Sequence, residues 1–250
     1  IKRVVLLGPA HRVSFNGLAL PEAVAFETPL GTVPIDQEAV ATLADMPQVS
    51  RRDDAHSEEH SLEVHLPFLQ ALLNDFVVAP LVVGRTSAEE VKHVLDRLWG
   101  GDETLIVISS DLIHLENYDT ARRMDSATAD AIESLRAEDI DHAQACGRTP
   151  VAGLIATARH RNMSVERIGL CNSGDTAGTK DRVVGYGAWS FHAPTEVSDR
   201  ELLDKNHNEI YRVARASIRY GLAKGKPPAV HVKSFSPDLQ PNRAQFIPQK

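Results

Sequence analysis

Apolar strand-like runs alternate with amphipathic helical runs over residues 1–194, and this alternation is the feature that most constrains the fold. Runs rich in Val, Ile and Leu predict strands at residues 3–7, 76–83, 105–109, 165–171 and 183–191. Helical periodicity and capping residues predict helices at residues 37–45, 61–73, 87–99, 119–135 and 150–161. We therefore expect an α/β three-layer sandwich, with a mostly parallel or mixed central sheet covered by helices on both faces.

Composition excludes several classes of protein. The longest apolar run, residues 76–84, is about half of the roughly 18 residues that a membrane span needs. A net charge of −7 argues against a general nucleic-acid binder, which would carry a basic surface. Two cysteines cannot form a disulfide framework, and no leader-like segment precedes Ile1. The sequence thus predicts a cytoplasmic protein that binds neither membranes nor nucleic acids.

The charge distribution divides the chain in two. Residues 1–194 are acidic, whereas the stretch after a linker-like segment at 194–198 is basic and begins with a long amphipathic helix. We expect one domain over residues 1–194 and the beginning of a second over residues 198–250. Because a core strand starts almost at Ile1, we also expect the first domain to lack its natural beginning.

His11 is the first candidate site residue. It follows the first predicted strand in the motif Gly8-Pro9-Ala10-His11, and ligands of open α/β sheets bind beyond the carboxyl ends of the strands. An imidazole there can bind a metal or exchange a proton with a substrate. The alternative is a histidine that only caps the strand in a turn.

Asp111 and His114 follow the third predicted strand in Ser109-Ser110-Asp111-Leu112-Ile113-His114. A carboxylate and an imidazole in this position can share one cleft and set each other's protonation state. The alternative is a polar helix start in which Ser110 or Asp111 is the cap.

Three further segments carry polar or reactive side chains. His56 and His60 have helical zinc-site spacing, but Glu59, His60 and Glu63 are better interpreted as the first turn of a helix, with the alternative that some of them border the cleft. Asp175, in a glycine-containing loop after the fourth predicted strand, is a candidate metal ligand. Cys146 is interpreted as a buried structural thiol rather than a nucleophile, because the sequence places no histidine beside it.

These segments together resemble the Memo family, called AmmeMemoRadiSam system protein B in prokaryotes. The matching pieces span about 190 residues and are Gly8-Pro9-Ala10-His11, Thr28-Pro29-Leu30-Gly31 with Ile35-Asp36, Glu59-His60-Ser61-Leu62-Glu63-Val64-His65-Leu66-Pro67, Ser109-Ser110-Asp111 with His114, Cys146-Gly147-Arg148 with Pro150, and Asn172-Ser173-Gly174-Asp175 with Gly185-Tyr186.

The resemblance implies a fold similar to class III extradiol dioxygenases, which bind non-haem Fe(II) through two histidines and a carboxylate. It implies that His11 is a metal ligand for Fe(II) or another divalent metal, that His114 is the acid/base and that Asp111 orients His114 or contacts the metal. A second histidine is expected from a Pro-His-Ala-Gly-Tyr segment upstream of Ile1, so the fragment alone is expected to bind metal incompletely or not at all. Animal relatives have a cysteine at the position of Thr176, and here Asp175 is expected to replace it as ligand.

The resemblance also extends to partners. Residues 198–250 are similar to the start of an AMMECR-type domain, and the family name implies a radical-SAM protein as a partner. Two functions follow: a metal-dependent, dioxygenase-like oxidoreductase acting on an unidentified small molecule, or a non-catalytic binding module with a vestigial cleft. A third interpretation is that Asp111, His114 and the histidines of segment 56–65 only satisfy polar groups at helix starts.

Overall fold

A five-stranded mixed sheet lies at the centre of the computed structural model, which describes residues 1–176 and 179–194. Its order is β5-β2-β6-β1-β7. The strands are β1 (Arg3–Pro9), β2 (Leu18–Leu20), β5 (Val49–Arg51), β6 (Val77–Val83) and β7 (Thr104–Ile108). β1 runs parallel to both β6 and β7, and β2 runs antiparallel to β6, so the sheet is mixed as the sequence predicts.

Apolar side chains alternate between the two faces of β1 and divide the core into two clusters. Val5 and Leu7 pack with α1 (Gln37–Thr42), α3 (Ala88–Leu98) and part of α5 (Arg148–His160). Val4 and Leu6 pack on the opposite face, with α2 (Leu66–Leu72) and the residues that precede it. The sheet is thus covered on both faces, which is the predicted three-layer arrangement.

The remaining strands lie outside the central sheet. β3 (Ala25–Thr28) and β4 (Gly31–Pro34) form a hairpin, and β8 (His114–Glu116), β9 (Ser164–Asn172) and β10 (Val183–His192) form an antiparallel sheet of order β8-β10-β9. Most residues of β9 are exposed, so the expectation that it is covered on both faces is wrong. An antiparallel sheet tolerates one solvated face, whereas a parallel sheet does not.

The helices match their predicted positions except at one start and at the end of α1, which stops at Thr42 instead of residue 45. A capping box joins Ser87 to Glu90 at the start of α3, and Asn117 caps α4 (Tyr118–Glu133). The predicted helix 61–73 begins only at Leu66, after a 3-10 turn over Glu63–His65, and Pro67 lies in its first turn. The prediction that Glu59, His60 and Glu63 form the first helical turn is therefore wrong.

The helix predicted after residue 198 lies outside the described residues, as does the proposed boundary of the second domain. Residues Ile1–Pro194 cluster as one unit. Within the described ranges, no helix has both the length and the apolar character needed to cross a membrane.

Candidate functional site

The ends of β1 and β7 lie side by side, because the strands are parallel and Leu7 pairs with Ile108. The chain therefore leaves both strands at the same edge of the sheet. We call residues 9–12 the first exit segment and residues 109–114 the second exit segment. The first carries His11, and the second carries Asp111 and His114.

His11 is fixed by the carboxylate of Glu59. Glu59 Oε2 accepts the backbone N–H of His11 at 2.5 Å, and its Oε1 lies 2.9 Å from His11 Nδ1. Ser61 also donates its backbone N–H to Oε1, at 3.0 Å. Burial by itself would raise the pKa of Glu59, but these hydrogen bonds lower it to about 2, so the group is a carboxylate at neutral pH. This pairing occupies Nδ1 and leaves Nε2 as the ring nitrogen available for a metal.

Other histidines surround this pair without joining it in one ligand group. The His60 ring stacks on the His11 ring, with centroids 6.3 Å apart. His56 Nε2 lies 2.9 Å from the carbonyl oxygen of Ala19, and burial lowers the pKa of His56. His56 follows a 3-10 turn rather than lying in a helix with His60, so the helical zinc-site spacing has no structural counterpart.

Asp111, His114 and Cys146 form a compact group in the described part of the chain. Their metal-ligating atoms all lie within 4.8 Å of one another, and His114 Nε2 is 3.3 Å from Asp111 Oδ2. The structure thus brings together the two residues that the sequence predicts as catalytic. It adds a cysteine that the sequence analysis treated as structural.

The second exit segment does not begin a helix, so the interpretation of Ser110 or Asp111 as a helix cap is wrong. Residues 109–113 are irregular, and His114 begins β8. Backbone hydrogen bonds between Leu112, Ile113 and Gly185 tie the segment to β10. A strand exit placed in this way leaves the Asp111 carboxylate half-exposed, with room for a ligand.

Cys146 joins the two exit segments. Asp111 donates its backbone N–H to Cys146 Sγ at 3.2 Å, and Cys146 returns its own N–H to the Asp111 carbonyl. Cys146 also lines, with His11, a cavity of about 360 Å³. Burial is the main cause that raises the pKa of the Cys146 thiol. Cys146 therefore contacts the second exit segment and lines the cavity beside the first.

Asp175 lies apart from this group. Tyr118 donates its hydroxyl to Asp175 Oδ1 at 2.5 Å, and the backbone N–H of Asn172 donates to Oδ2 at 2.8 Å. The Tyr118 hydrogen bond is the main cause that lowers the pKa of Asp175. Both carboxylate oxygens serve the turn after β9, and the structure does not bring Asp175 to Asp111, His114 and Cys146.

A larger cavity, of about 850 Å³, lies between β7 and β10. Its walls are mostly apolar and include Trp99, Ile106 and Trp189. It contains none of the four predicted site residues. The smaller, more polar cavity beside His11 is therefore the better candidate for chemistry.

Comparison with known proteins identifies the family. A family model described as "Memo-like protein" matches residues 1–190. The chain belongs to the Memo-like family.

Curated Memo-like relatives match most of the chain. A MEMO1 family protein of Ignicoccus hospitalis is 34% identical over 209 residues, which are 76% of this chain and 72% of the relative. A MEMO1 family protein of Aeropyrum pernix is 36% identical over 198 residues, 74% of this chain and 70% of the relative. One from Aquifex aeolicus is 35% identical over 200 residues, 74% of this chain and 73% of the relative.

Sequence reasoning missed two residues of this Memo-like cleft. Glu59 was assigned to a helical turn, although its carboxylate serves His11, 48 residues away. Cys146 was assigned to the core, although its sulfur contacts Asp111, 35 residues away. Both lie inside motifs that carry the family resemblance, and that was the one signal that pointed to them.

Proposed function

We propose that this chain is a metal-dependent, dioxygenase-like oxidoreductase that acts on a small molecule in the cleft between the two exit segments. One observation carries the proposal: His11, held by Glu59 with Nε2 available, lines the same cavity as Cys146, and Cys146 belongs to the group that it forms with Asp111 and His114. Carboxylate–histidine pairing of this kind is usual for histidines that bind metals.

The chemistry of the donors fits a divalent transition metal. Imidazole suits iron, zinc and copper, and a carboxylate beside it favours a non-haem iron site with open positions. His11 would hold the metal, with the Asp111 carboxylate close to Cys146 as a second donor. When bound, Fe(II) supplies Lewis-acid and redox chemistry to the substrate.

In this proposal, His114 is the general acid and base that donates and accepts the proton. Its Nε2 lies 3.3 Å from Asp111 Oδ2, and both side chains are close to half exposed. Asp111 orients the imidazole, and solvent reaches the pair. The adjacent Leu115 has φ of 66°, an uncommon conformation for a bulky residue that is often seen beside functional groups.

Asp175 remains a predicted ligand on which the proposal does not depend. Its two oxygens accept hydrogen bonds from Tyr118 and Asn172, and it is not in the group of Asp111, His114 and Cys146. Asp111 is the carboxylate already beside the cleft.

Metal content tests the proposal. The chain is loaded with Fe(II) under anaerobic conditions, and bound iron is measured in the wild type, His11→Ala and His60→Ala. His60 is the matched control because it stacks on His11 without pairing to Glu59. We expect His11→Ala to lose most of the iron and His60→Ala to retain it. Equal iron in the wild type and His11→Ala would refute the proposal.

Oxygen consumption tests the proton step. We expect iron-dependent oxygen uptake with a panel of aromatic diols, and we expect His114→Ala to lose the uptake while keeping the iron. Loss of general acid–base catalysis typically lowers a rate by about 10² to 10⁴-fold. Unchanged oxygen uptake in His114→Ala would exclude the proposed role of His114.

A non-catalytic binding module is the second candidate. The observation that favours it is the separation of Asp175 from the other predicted site residues. In this case the cleft is vestigial, and the protein acts with a radical-SAM protein and the AMMECR-type domain proposed for residues 198–250. Iron-free wild-type protein that consumes no oxygen would support this candidate over the first.

The proposed compartment is the cytoplasm. Cys146 and Cys171 are both free thiols, and Cys171 is exposed. Free, exposed thiols are the usual state in a reducing compartment.

A further inference from the structure

Cys146 lies in the wall of the proposed cleft. Its Sγ lies within 4.8 Å of the ligating atoms of both Asp111 and His114. It also lines the cavity that contains His11. One thiol therefore lies beside Asp111 and His114 and lines the same cavity as His11.

Polar contacts with the second exit segment hold the Cys146 sulfur in position. The Asp111 N–H donates to Sγ at 3.2 Å, and the Ser110 hydroxyl lies 3.9 Å from it. Gly147 donates its N–H to Ser110 Oγ at 2.9 Å, which holds that hydroxyl in place. Hydrogen bonds to the sulfur are the surroundings in which thiolates bound to metals are found.

Close packing fixes this arrangement. A Cβ atom added at Gly147 would lie 2.5 Å from the Ser109 carbonyl oxygen and 2.6 Å from the Ser110 Cβ. The segment that carries Cys146 therefore lies directly against the second exit segment. Cys146 cannot shift away from Asp111 without moving the backbone of both segments.

We propose that Cys146 is a thiolate ligand of the metal in this cleft, beside the Asp111 carboxylate. This inference deepens the proposed function and rests on it. On binding, the thiol proton passes to water and a sulfur lone pair bonds to the divalent cation, so no oxidant or reductant is needed. The ligand set then contains nitrogen, oxygen and sulfur.

A sulfur ligand selects the metal. Thiolate favours Fe(II), Co(II) and Zn(II), whereas sites made of oxygen donors suit Mg(II), Ca(II) and Mn(II). The cleft should bind Co(II) and Zn(II) in the presence of excess Mg(II). A site without sulfur would show weaker discrimination.

Titration with Co(II) tests the ligand directly, because a cobalt–thiolate bond gives a charge-transfer absorption band. The wild-type chain is titrated beside Cys146→Ser and Cys171→Ser. Cys171 is the matched control, since it is exposed on β9. We expect the band in the wild type and Cys171→Ser, and we expect Cys146→Ser to lose it and to bind Co(II) at least about tenfold more weakly.

Two results would overturn the inference while leaving the proposed function intact. The first is bound Co(II) in the wild type without the band, and the second is a band that persists in Cys146→Ser. A wild-type chain that binds neither Co(II) nor Fe(II) would overturn both the inference and the proposed function.

A second measurement does not depend on the folding of Cys146→Ser. X-ray absorption at the zinc edge of Zn(II)-loaded Cys171→Ser reports the atoms bound to the metal. We expect one sulfur scatterer at about 2.3 Å, and in this variant only Cys146 can provide a cysteine sulfur. A shell made only of nitrogen and oxygen would refute the inference.

Discussion

The two exit segments carry similar chemistry in different surroundings. Each follows a parallel strand of one sheet and presents a histidine beside a carboxylate, with His11 2.9 Å from Glu59 and His114 3.3 Å from Asp111. The Glu59 side chain is 1% exposed, whereas that of Asp111 is 49% exposed. The carboxylate of the first pair is thus buried and that of the second is exposed, whereas the two histidines are similarly exposed, at 38% and 43%.

The difference assigns different tasks to the two pairs. Glu59 accepts hydrogen bonds from two backbone N–H groups as well as from the His11 ring, so His11 has one orientation. Asp111 and His114 have no such set of backbone donors to their side chains among the described residues, so they can rearrange around a ligand. A histidine held by a buried carboxylate suits a metal ligand, and a solvent-exposed histidine beside a carboxylate suits proton transfer.

The largest expected effect is on stability at the first pair. Glu59→Ala leaves the backbone N–H groups of His11 and Ser61 without their acceptor, and each buried unpaired group costs about 1 to 3 kcal/mol. We expect a loss of about 3 kcal/mol in the free energy of unfolding, measured in urea. Asp111→Ala is the matched control and should lose less than about 1 kcal/mol. Equal losses would show that the two pairs do not differ as described.

Glycine substitutions should give the next largest effect on stability. Here we expect the larger loss beside the second exit segment rather than the first. Gly147→Ala places a methyl group against the backbone of the second exit segment, and such overpacking costs about 1 to 3 kcal/mol. Gly8→Ala meets the Leu62 and Ser61 side chains at 2.8 Å, and the Leu62 methyl can move more readily than a backbone. We expect a lower thermal midpoint for Gly147→Ala than for Gly8→Ala. The reverse order would mean that the second exit segment is the more adaptable backbone.

The carboxyl groups that support the two segments should respond to pH with opposite signs. The pKa of Glu59 is lowered to about 2, so its stabilisation is present above the ordinary glutamate pKa and is lost as the pH falls towards 2. Asp125 accepts the Ile113 N–H at 3.1 Å, and burial raises its pKa. The stabilising effect of protonated Asp125 is present below the ordinary aspartate pKa and is lost as the pH rises through the raised value.

Thermal midpoints measured from pH 2 to pH 7 separate these contributions. We expect Glu59→Gln to flatten the loss of stability at acid pH, and we expect Asp125→Asn to flatten the loss as the pH rises. Both variants keep the side-chain length, so packing changes little. If the two substitutions changed the slope of the thermal midpoint against pH in the same direction, the opposite pH responses assigned to Glu59 and Asp125 would be contradicted.

The smallest expected effect is the coupling within the second pair. Exposed contacts of this kind contribute at most about 0.2 to 1 kcal/mol, so a double-mutant cycle on Asp111 and His114 should not exceed that range. The same cycle on Glu59 and His11 should give a larger coupling, because hydrogen bonds to charged groups contribute about 1.5 to 3 kcal/mol. High salt should weaken the coupling between Asp111 and His114 and leave the coupling between Glu59 and His11 nearly unchanged. Equal couplings would remove the distinction between the pairs.

Long elements were predictable and short ones were not. The buried strands β1, β6 and β7 appear close to their predicted positions, because four or more consecutive apolar residues leave a pattern. The three-residue strands β2, β5 and β8 were missed, since segments that short carry no periodicity. The start of α2 was also missed, because the polar segment before Leu66 is held by the contact of Glu59 with His11 and not by local helix propensity.

The sequence by itself determined that His11 follows one buried strand and that Asp111 and His114 follow another, because apolar runs and their breaks are local patterns. Only the tertiary structure decided which side chains meet these residues. Glu59 reaches His11 across 48 positions, and Cys146 reaches Asp111 across 35. Contacts over such separations depend on strand order and on the packing of helices against the sheet, and the local pattern of residues records neither.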